Sequence, residues 1–325
     1  MGNLIVSLSP HAHGNDSVKK NMCWVIGALI PALLASFYFF GLGSVIVCAT
    51  SVIACVFFEW AISKFILKQE GCTVCDGSAA LTGVLLGMNL PSTLPIWMII
   101  IGALIAIGVG KMTFGGLGQN PFNPALVGRC FLLVSFPTAM TTWTAPAGVD
   151  AFTGATPLAL MKQAIKGNPD ALKELPSTLD MFLGCNAGSM GEVCALLLLL
   201  GAAVLIWKKV ITWHIPVSII GTVFVLSALL WACDAQTYAN PFQVIFAGGL
   251  MLGACFMATD YVTSPMCAKG QIIYGISIGV LTLVIRNWGA YPEGMSFAIL
   301  IMNAFTPLIN MYTKPKRFGE VPATK

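Results

Sequence analysis

The residues with the clearest chemical potential lie in one polar stretch, Asp150-Ala-Phe-Thr-Gly-Ala-Thr156, which separates two blocks of apolar sequence. A threonine hydroxyl can act as a nucleophile toward a phosphoryl donor, and small residues such as Gly154 and Ala155 leave space around it. The same residues also suit a plain turn, because Thr153 and Gly154 favour a bend and the following proline suits the first position of a helix. Residue preferences alone favour the turn.

A second polar stretch, residues 111–129, combines glycines with two asparagines. Its glycines match neither a dinucleotide fingerprint nor a P-loop, so they indicate a close approach of the backbone to another group. Asn120 and Asn123 carry amides that both donate and accept hydrogen bonds, which suits them to the polar edge of a ring. The alternative, held equally open, is that Asn123 caps a helix beginning at the next residue, a proline.

Three acidic residues, Glu59, Asp76 and Asp260, lie within or beside apolar runs. Ionisable groups at membrane depth are costly and usually functional, so these three are candidates for an ion path. Each has a structural alternative. Glu59 lies near the end of its run, where snorkelling to the interface removes much of the cost, and Asp76 and Asp260 occupy positions expected at the interface.

The chain has eleven cysteines, most of them inside apolar runs, where cysteine packs as a small hydrophobic residue. Cys72 and Cys75 have the spacing of a redox or metal-binding pair. Because no second pair and no nearby histidine accompanies them, the sequence predicts no metal site, and the role of this pair stays open.

The amino-acid composition indicates the fold class that must position these residues. The 325 residues are 57% hydrophobic and 9% charged, whereas an average soluble domain is about 25% charged. The long unbroken apolar runs also disagree with the alternating strands of a membrane β-barrel. The predicted fold class is therefore an all-α polytopic membrane protein.

Since a spanning helix needs about 20 apolar residues, ten transmembrane helices are predicted, at residues 22–40, 43–65, 78–90, 94–110, 124–136, 193–207, 215–232, 242–257, 271–285 and 295–312. The third and fifth are short, and we expect them to be tilted, broken or buried.

The distribution of lysine and arginine predicts the orientation. With the N-terminus in the cytoplasm, twelve of the seventeen basic residues fall on the cytoplasmic side, and both termini lie there. The predicted organisation is a cytoplasmic segment (1–21), five helices (22–136), a long extracytoplasmic loop (137–192), five helices (193–312) and a cytoplasmic tail (313–325). An odd number of helices in each half predicts two inverted five-helix repeats, an arrangement that often places a site at the repeat interface. The recurrence of Asn120-Pro-Phe as Asn240-Pro-Phe is weak sequence support for this repeat.

The stretch that ends in Thr156 resembles, without departure, the acceptor motif of flavin transferases, in which FMN is joined through its phosphate to the final threonine. Three further stretches carry a wider resemblance: Asp76-Gly-Ser-Ala-Ala-Leu-Thr-Gly with Asn89-Leu-Pro, residues 110–129, and Met257-Ala-Thr-Asp-Tyr-Val-Thr-Ser-Pro. Together they resemble the family of ion-translocating redox subunits that includes RnfD of the Rnf complex and its counterpart NqrB of the sodium-pumping NADH:quinone oxidoreductase. The resemblance covers nearly the whole chain, and the compact N-terminus is more similar to the Rnf proteins.

The resemblance implies covalent FMN on Thr156, with Asp150, Thr153, Gly154 and Ala155 completing the motif, and non-covalent riboflavin near Asn120 and Asn123. It also implies a bacterial inner membrane location, other Rnf subunits as partners, ferredoxin and NAD as terminal partners, and translocation of Na⁺ or H⁺. The chain has neither a ferredoxin-type cysteine run nor a nucleotide fingerprint, so we expect it to act as one subunit and not as a complete enzyme.

The sequence leaves three alternatives open for the function of the chain. One is the quinone-linked member of the same family. Another is a secondary transporter or channel for a small polar solute, which ten helices in inverted halves would suit equally well. The last is a structural anchor for other subunits, which predicts no bound flavin.

Overall fold

The computed structural model describes residues 16–68, 73–143, 156–184, 187–191 and 194–315, and within them every regular element is helical. The α-helices in chain order are α1 (Val18–Phe40), α2 (Leu42–Ala61), α3 (Ser78–Met88), α4 (Ile96–Leu104), α5 (Pro124–Ser135), α6 (Pro137–Thr141), α7 (Pro157–Ile165), α8 (Thr178–Leu183), α9 (Ala195–Trp207), α10 (His214–Cys233), α11 (Pro241–Phe246), α12 (Leu250–Leu252), α13 (Ala268–Trp288) and α14 (Met295–Tyr312).

Six helical segments in the described part of the chain are long and apolar enough to cross a membrane. They comprise α1, α2 with its extension, α4 with its extension, α10, α13 and α14. Three shorter apolar helices, α3, α5 and α9, accompany them. Large hydrophobic side chains remain exposed on the outer faces of the long helices, as expected where lipid replaces water. The protein is therefore a polytopic helical membrane protein.

The short third and fifth runs behave as the sequence predicts. The third forms α3, which is nearly all buried and stops at Met88, because Asn89, Pro91 and Pro95 follow it closely. The fifth forms α5, which is also largely buried. The predicted single helix at 242–257 is wrong in detail, because it is broken between α11 and α12 at Gly248, whose backbone is left-handed (φ +69°).

Close helix contacts depend on small residues, as is common inside membranes. Gly83 of α3 packs on the backbone of α2, where the Ser51 hydroxyl donates a 2.8 Å hydrogen bond to the Gly83 carbonyl. Gly275 and Gly279 of α13 pack closely against α10, where the nearest atoms belong to the side chains of Ser218 and Thr222. These contacts fix the long helices to each other and create a single large apolar core.

Part of the predicted long loop is folded. After Thr156, α7, a 3₁₀ turn (Pro169–Glu174) and α8 pack against α11 and build a small second core. Met181 of α8 is fully buried in that core. The residues from Thr156 to the end of α8 therefore form a small packed unit, the Thr156 platform, with Thr156 at its start.

Candidate functional site

One cavity, with an open volume of about 760 Å³, lies among α1, α3, the residues that follow α4, the end of α9 and the residues that follow α12. Its walls are mostly apolar. The polar side chains that line it include Asn120, Asn123 and Asp260. The structure therefore brings together three residues that the sequence points to separately, over a sequence distance that spans both halves of the chain.

Asn123 performs two tasks at once. Its side-chain oxygen caps α5 by accepting a 3.1 Å hydrogen bond from the Ala125 N–H, so the capped-helix interpretation is confirmed. Its side-chain nitrogen donates a 3.1 Å bond to the carbonyl of Met257, at the end of the helical segment before Asp260. Asn120 bonds locally, donating at 3.0 Å to the carbonyl of Phe122. Capping thus places Asn123 in the cavity wall and does not remove it from the site.

A buried ion pair forms one side of the cavity. The Lys111 ammonium donates to the Glu59 carboxylate at 2.5 Å and to the Ser78 hydroxyl at 2.7 Å. Both members of the pair are about 2% exposed or less. Lys111 and Ser78 line the cavity, while Glu59 lies behind them. The snorkelling interpretation of Glu59 is wrong, because this carboxylate turns into the protein toward Lys111.

Three π-helical turns border the same region. Ile62–Ile66 extends α2 just after Glu59, Ile105–Val109 extends α4 just before Lys111, and Gly253–Met257 extends α12 just before Asp260. A π turn widens the helix, leaves backbone groups less regularly paired and is found frequently at functional sites. All three turns adjoin a charged residue of this region, so the backbone irregularities and the buried charges are concentrated together.

Asp260 lies in the segment between α12 and α13. Burial raises the pKa of its carboxyl above the ordinary value of 3.8, while hydrogen bonds from the backbone N–H of Val262, the Thr263 hydroxyl and the backbone N–H of Tyr261 act in the opposite direction. Of the two other acidic candidates, Glu59 joins the cavity through Lys111, whereas Asp76 is half-buried in a 3₁₀ turn before α3 and does not line the cavity.

The backbone of Asn123 is held by a buried hydrogen bond to the side chain of Asn303. With the Asn303 amide oriented so that both ends are satisfied, its oxygen accepts from the backbone N–H of Asn123 at 3.2 Å and its nitrogen donates to the Tyr274 hydroxyl at 2.6 Å. Tyr274 is fully buried on α13 and Asn303 is buried on α14. Two helices of the second half of the chain therefore hold a cavity residue contributed by the first.

Thr156, the predicted attachment residue, is the N-cap of α7. Its hydroxyl oxygen accepts a 3.2 Å hydrogen bond from the Ala159 N–H, and Pro157 opens the helix as predicted. The residue is 7% exposed. The remainder of the predicted motif, Asp150, Thr153, Gly154 and Ala155, lies outside the described residues, as does Cys72, whereas its neighbour Cys75 is exposed.

Sequence reasoning missed the partners of the buried charges. Lys111 is one of the twelve basic residues that predict the orientation, and its position after a long apolar run does not distinguish it from an interfacial lysine. Arg129 of α5 bonds to the Asn89 side chain at 2.5 Å and forms an ion pair with Glu293, between α13 and α14. Glu293 gave no signal, because it lies 164 positions from its partner.

Comparison with known proteins places nearly the whole chain in one family. The model of the NQR2, RnfD, RnfE family matches residues 5–319. The chain is 46% identical to the D subunit of a proton-translocating ferredoxin:NAD(+) oxidoreductase complex from Clostridium ljungdahlii, covering 97% of this chain and 96% of the relative. It is 46% identical to the D subunit of a Na(+)-translocating ferredoxin:NAD(+) oxidoreductase complex from Acetobacterium woodii, with 98% and 96% covered. It is 37% identical to the D subunit of an ion-translocating oxidoreductase complex from Yersinia pseudotuberculosis, with 97% and 98% covered.

Proposed function

The chain belongs to the NQR2, RnfD, RnfE family, and from this premise we propose that it is a flavin-carrying membrane subunit of an Rnf-type complex. In that complex it passes electrons between ferredoxin and NAD while Na⁺ or H⁺ crosses the membrane. The near-complete alignment with the D subunits of two ferredoxin:NAD(+) oxidoreductase complexes supports this function. The other subunits of the complex are its partners and supply the iron–sulfur and nucleotide sites.

The outer flavin of the proposal is FMN, joined through its phosphate to the Thr156 hydroxyl. The observation that carries this step is the position of Thr156 as N-cap of α7. The first N–H groups of a helix point at such a position, and with the helix dipole they stabilise phosphate oxygens. The Ala159 N–H that donates to the Thr156 hydroxyl oxygen would lie beside a phosphate joined to that oxygen. A flavin held there supplies one-electron and two-electron redox chemistry.

The inner flavin of the proposal is riboflavin in the 760 Å³ cavity. Apolar walls with a few convergent polar groups are typical of ligand cavities, and this cavity has both. Asn120 and Asn123 offer amide groups, and Lys111 offers an ammonium. These residues suit the carbonyl and N–H groups along the pyrimidine edge of an isoalloxazine ring.

An ion path near this cavity completes the proposal. Glu59, with Lys111, and Asp260 are the acidic groups that approach the cavity, and Asp76 lies nearer the surface. Two of the relatives carry proton-translocating and Na(+)-translocating in their names, so either ion is compatible with the family. We assign these carboxylates to binding or guiding the coupling ion.

We also propose ten spans in two inverted five-helix repeats, with both termini cytoplasmic and the Thr156 platform outside the inner membrane. The contact of Glu59, Lys111 and Ser78 supports a common side for the end of α2, the end of α4 and the start of α3. The start of α2 meets the turn before α4 at the opposite ends, where Gly43 packs on the Ser92 carbonyl. These two contacts fit alternating directions for α2, α3 and α4.

A fluorescent gel tests the proposed function. The protein is expressed in a host that makes the flavin transferase, denatured and separated, and the band is viewed for flavin fluorescence. We expect fluorescence in the wild type and in Thr156→Ser, and none in Thr156→Ala. A colourless wild-type band contradicts the flavin proposal and favours the transporter alternative, for which the same cavity would bind a small solute. The quinone-linked alternative is tested by purifying the complex and identifying its partner subunits.

A further inference from the structure

A second cavity, with an open volume of about 480 Å³, lies beside α7 and away from the cavity described above. One face of α7 forms its first wall, because Leu158, Met161, Lys162 and Ile165 follow the helical spacing that puts side chains on the same face. The opposite walls come from α10, α11 and α13 and are largely apolar. The cavity therefore begins two residues after Thr156, at Leu158.

Two cationic side chains lie in this apolar setting. The Lys162 ammonium donates to the carbonyls of Gly289 and Ala290 at 2.6 and 2.8 Å, just beyond the end of α13. Arg286 of α13 donates to the carbonyls of Val244 and Ala247, both at 2.9 Å. The two residues are 9% and 5% exposed.

The charge of Lys162 is the informative feature. Within the described part of the chain no carboxylate forms an ion pair with it, and its bonds are to neutral carbonyls. Burial lowers the pKa of this ammonium from its ordinary value of 10.5, and the nearby Lys166 adds to the effect. A buried cation with only neutral partners favours an anionic or electron-accepting occupant next to it.

The distance from Thr156 selects the occupant. At a rise of about 1.5 Å per residue, Lys162 lies roughly 9 Å along the helix from Thr156 and Ile165 roughly 13 Å. A group tethered to the Thr156 hydroxyl by a ribityl phosphate chain has to settle within that range. Tyr238 in the cavity wall offers an aromatic surface for a flat ring, and most of the other wall residues are apolar.

Resting on the proposed attachment of FMN to Thr156, we propose that this cavity holds the isoalloxazine ring of that FMN and that Lys162 sets its reduction potential. Lys162, assisted by Arg286, stabilises the negative charge that the ring gains when it accepts an electron. Lys162 thus sets the reduction potential of the flavin, whereas Thr156 provides only its covalent attachment point.

Redox titration with dithionite under spectroscopic observation tests this assignment. The FMN contribution is isolated by subtracting the titration of Thr156→Ala, which retains any non-covalent flavin. The Lys162→Gln side chain can still donate one hydrogen bond to the carbonyls after α13. In this variant we expect the equilibrium constant for one-electron reduction of the FMN to fall by about tenfold, which lowers the reduction potential by about 59 mV. Lys162→Arg keeps the charge and is expected to retain the wild-type potential.

The matched control is Lys166→Gln, which removes one exposed charge from the end of the same helix, outside the cavity. A potential that shifts equally in Lys162→Gln and Lys166→Gln overturns the proposal while the fluorescent band remains. An anionic phospholipid that co-purifies with the wild type and is lost only in Lys162→Gln also overturns it, since the cavity would then be a lipid site. Absence of the fluorescent band from the wild type refutes the attachment itself and this assignment with it.

Discussion

The ammonium of Lys111 lies 2.5 Å from the carboxylate of Glu59, and both side chains are buried beside the cavity that Asn120, Asn123 and Asp260 line. The pair joins the end of α2 to the end of α4 across 52 positions of sequence. A buried pair of this kind contributes little net stability over an apolar pair, but it makes the loss of one member costly. The pairing therefore both fixes the cavity wall and keeps two charges next to the proposed flavin.

Removing one member of this pair should destabilise the protein. We expect Lys111→Met to lower the free energy of unfolding by about 3–5 kcal/mol, because Glu59 is left buried without its cation. The double variant Glu59→Gln with Lys111→Met should recover most of that loss. Denaturant unfolding in detergent micelles measures both. Lys173→Met, which breaks an exposed pair with Asp170, is the control and should change stability little. A Lys111→Met variant as stable as this control would contradict the account.

A second asparagine that caps a helix in the same way, Asn240, serves as a control that distinguishes flavin binding by Asn123 from helix capping. Asn240 begins α11 as Asn123 begins α5, each accepting a 3.1 Å bond from the N–H two residues later. Loss of the cap should cost Asn123→Ala and Asn240→Ala about 0.5–2 kcal/mol of stability each, and Asn123→Ala should cost about 1–3 kcal/mol more because it leaves the buried Met257 carbonyl without its donor. Only Asn123→Ala should reduce the flavin that acid precipitation releases per mole of protein. Equal release from the two variants would show that Asn123 only caps its helix.

Asp260 predicts a pH dependence of stability. Its pKa in the folded protein is raised above 3.8 by burial, so folding favours the protonated form. Wild-type stability is then lowered progressively as the pH rises from about 4 through the folded-state pKa. Asp260→Asn resembles the protonated state, and we expect it to be more stable than the wild type at about pH 8 and equal to it near pH 4. Thermal unfolding across this range measures the difference, and a constant difference at all pH values would be inconsistent with the raised pKa.

The close contact of α2 and α3 requires a glycine at position 83. A side chain at Gly83 would place Cβ at 2.6 Å from the Cα of Val52, which is backbone and cannot rotate away. We expect Gly83→Ala to cost about 1–3 kcal/mol, as overpacking does. Gly27 of α1 has open space within 4 Å of the position that a Cβ would take, so Gly27→Ala should be neutral or stabilising by up to about 1 kcal/mol. Comparable melting temperatures for the two variants would refute this packing.

Much of the helical layout follows from local sequence. Apolar runs of spanning length became helices because each satisfies its own backbone hydrogen bonds, and α3 ends where prolines follow it. Pro157 and Pro124 opened helices, with Thr156 and Asn123 as caps, because capping depends on neighbours only a few residues apart. The break between α11 and α12 was not predicted, since Gly248 lies inside an otherwise apolar run.

The site was predictable only in part. Asn120, Asn123 and Asp260 were found because polar residues beside apolar runs need an explanation, and they line one cavity. The partners of Glu59 and Arg129 were not found, because their pairing depends on tertiary contacts that local patterns do not encode. Arg286 directly follows the predicted helix at residues 271–285, which would put it in a short outer loop, whereas the structure places it inside α13, where it is buried.

The mass of the peptide that carries Thr156 is the most direct measurement of the central claim. The protein is purified from a host that contains the flavin transferase, digested, and the peptide is fragmented to locate any added group. The account predicts that the peptide carries the mass of FMN less one water, that fragmentation places it on Thr156, and that Thr156→Ala lacks it. An unmodified Thr156 peptide from the wild type, or the same group on another residue, would contradict the account.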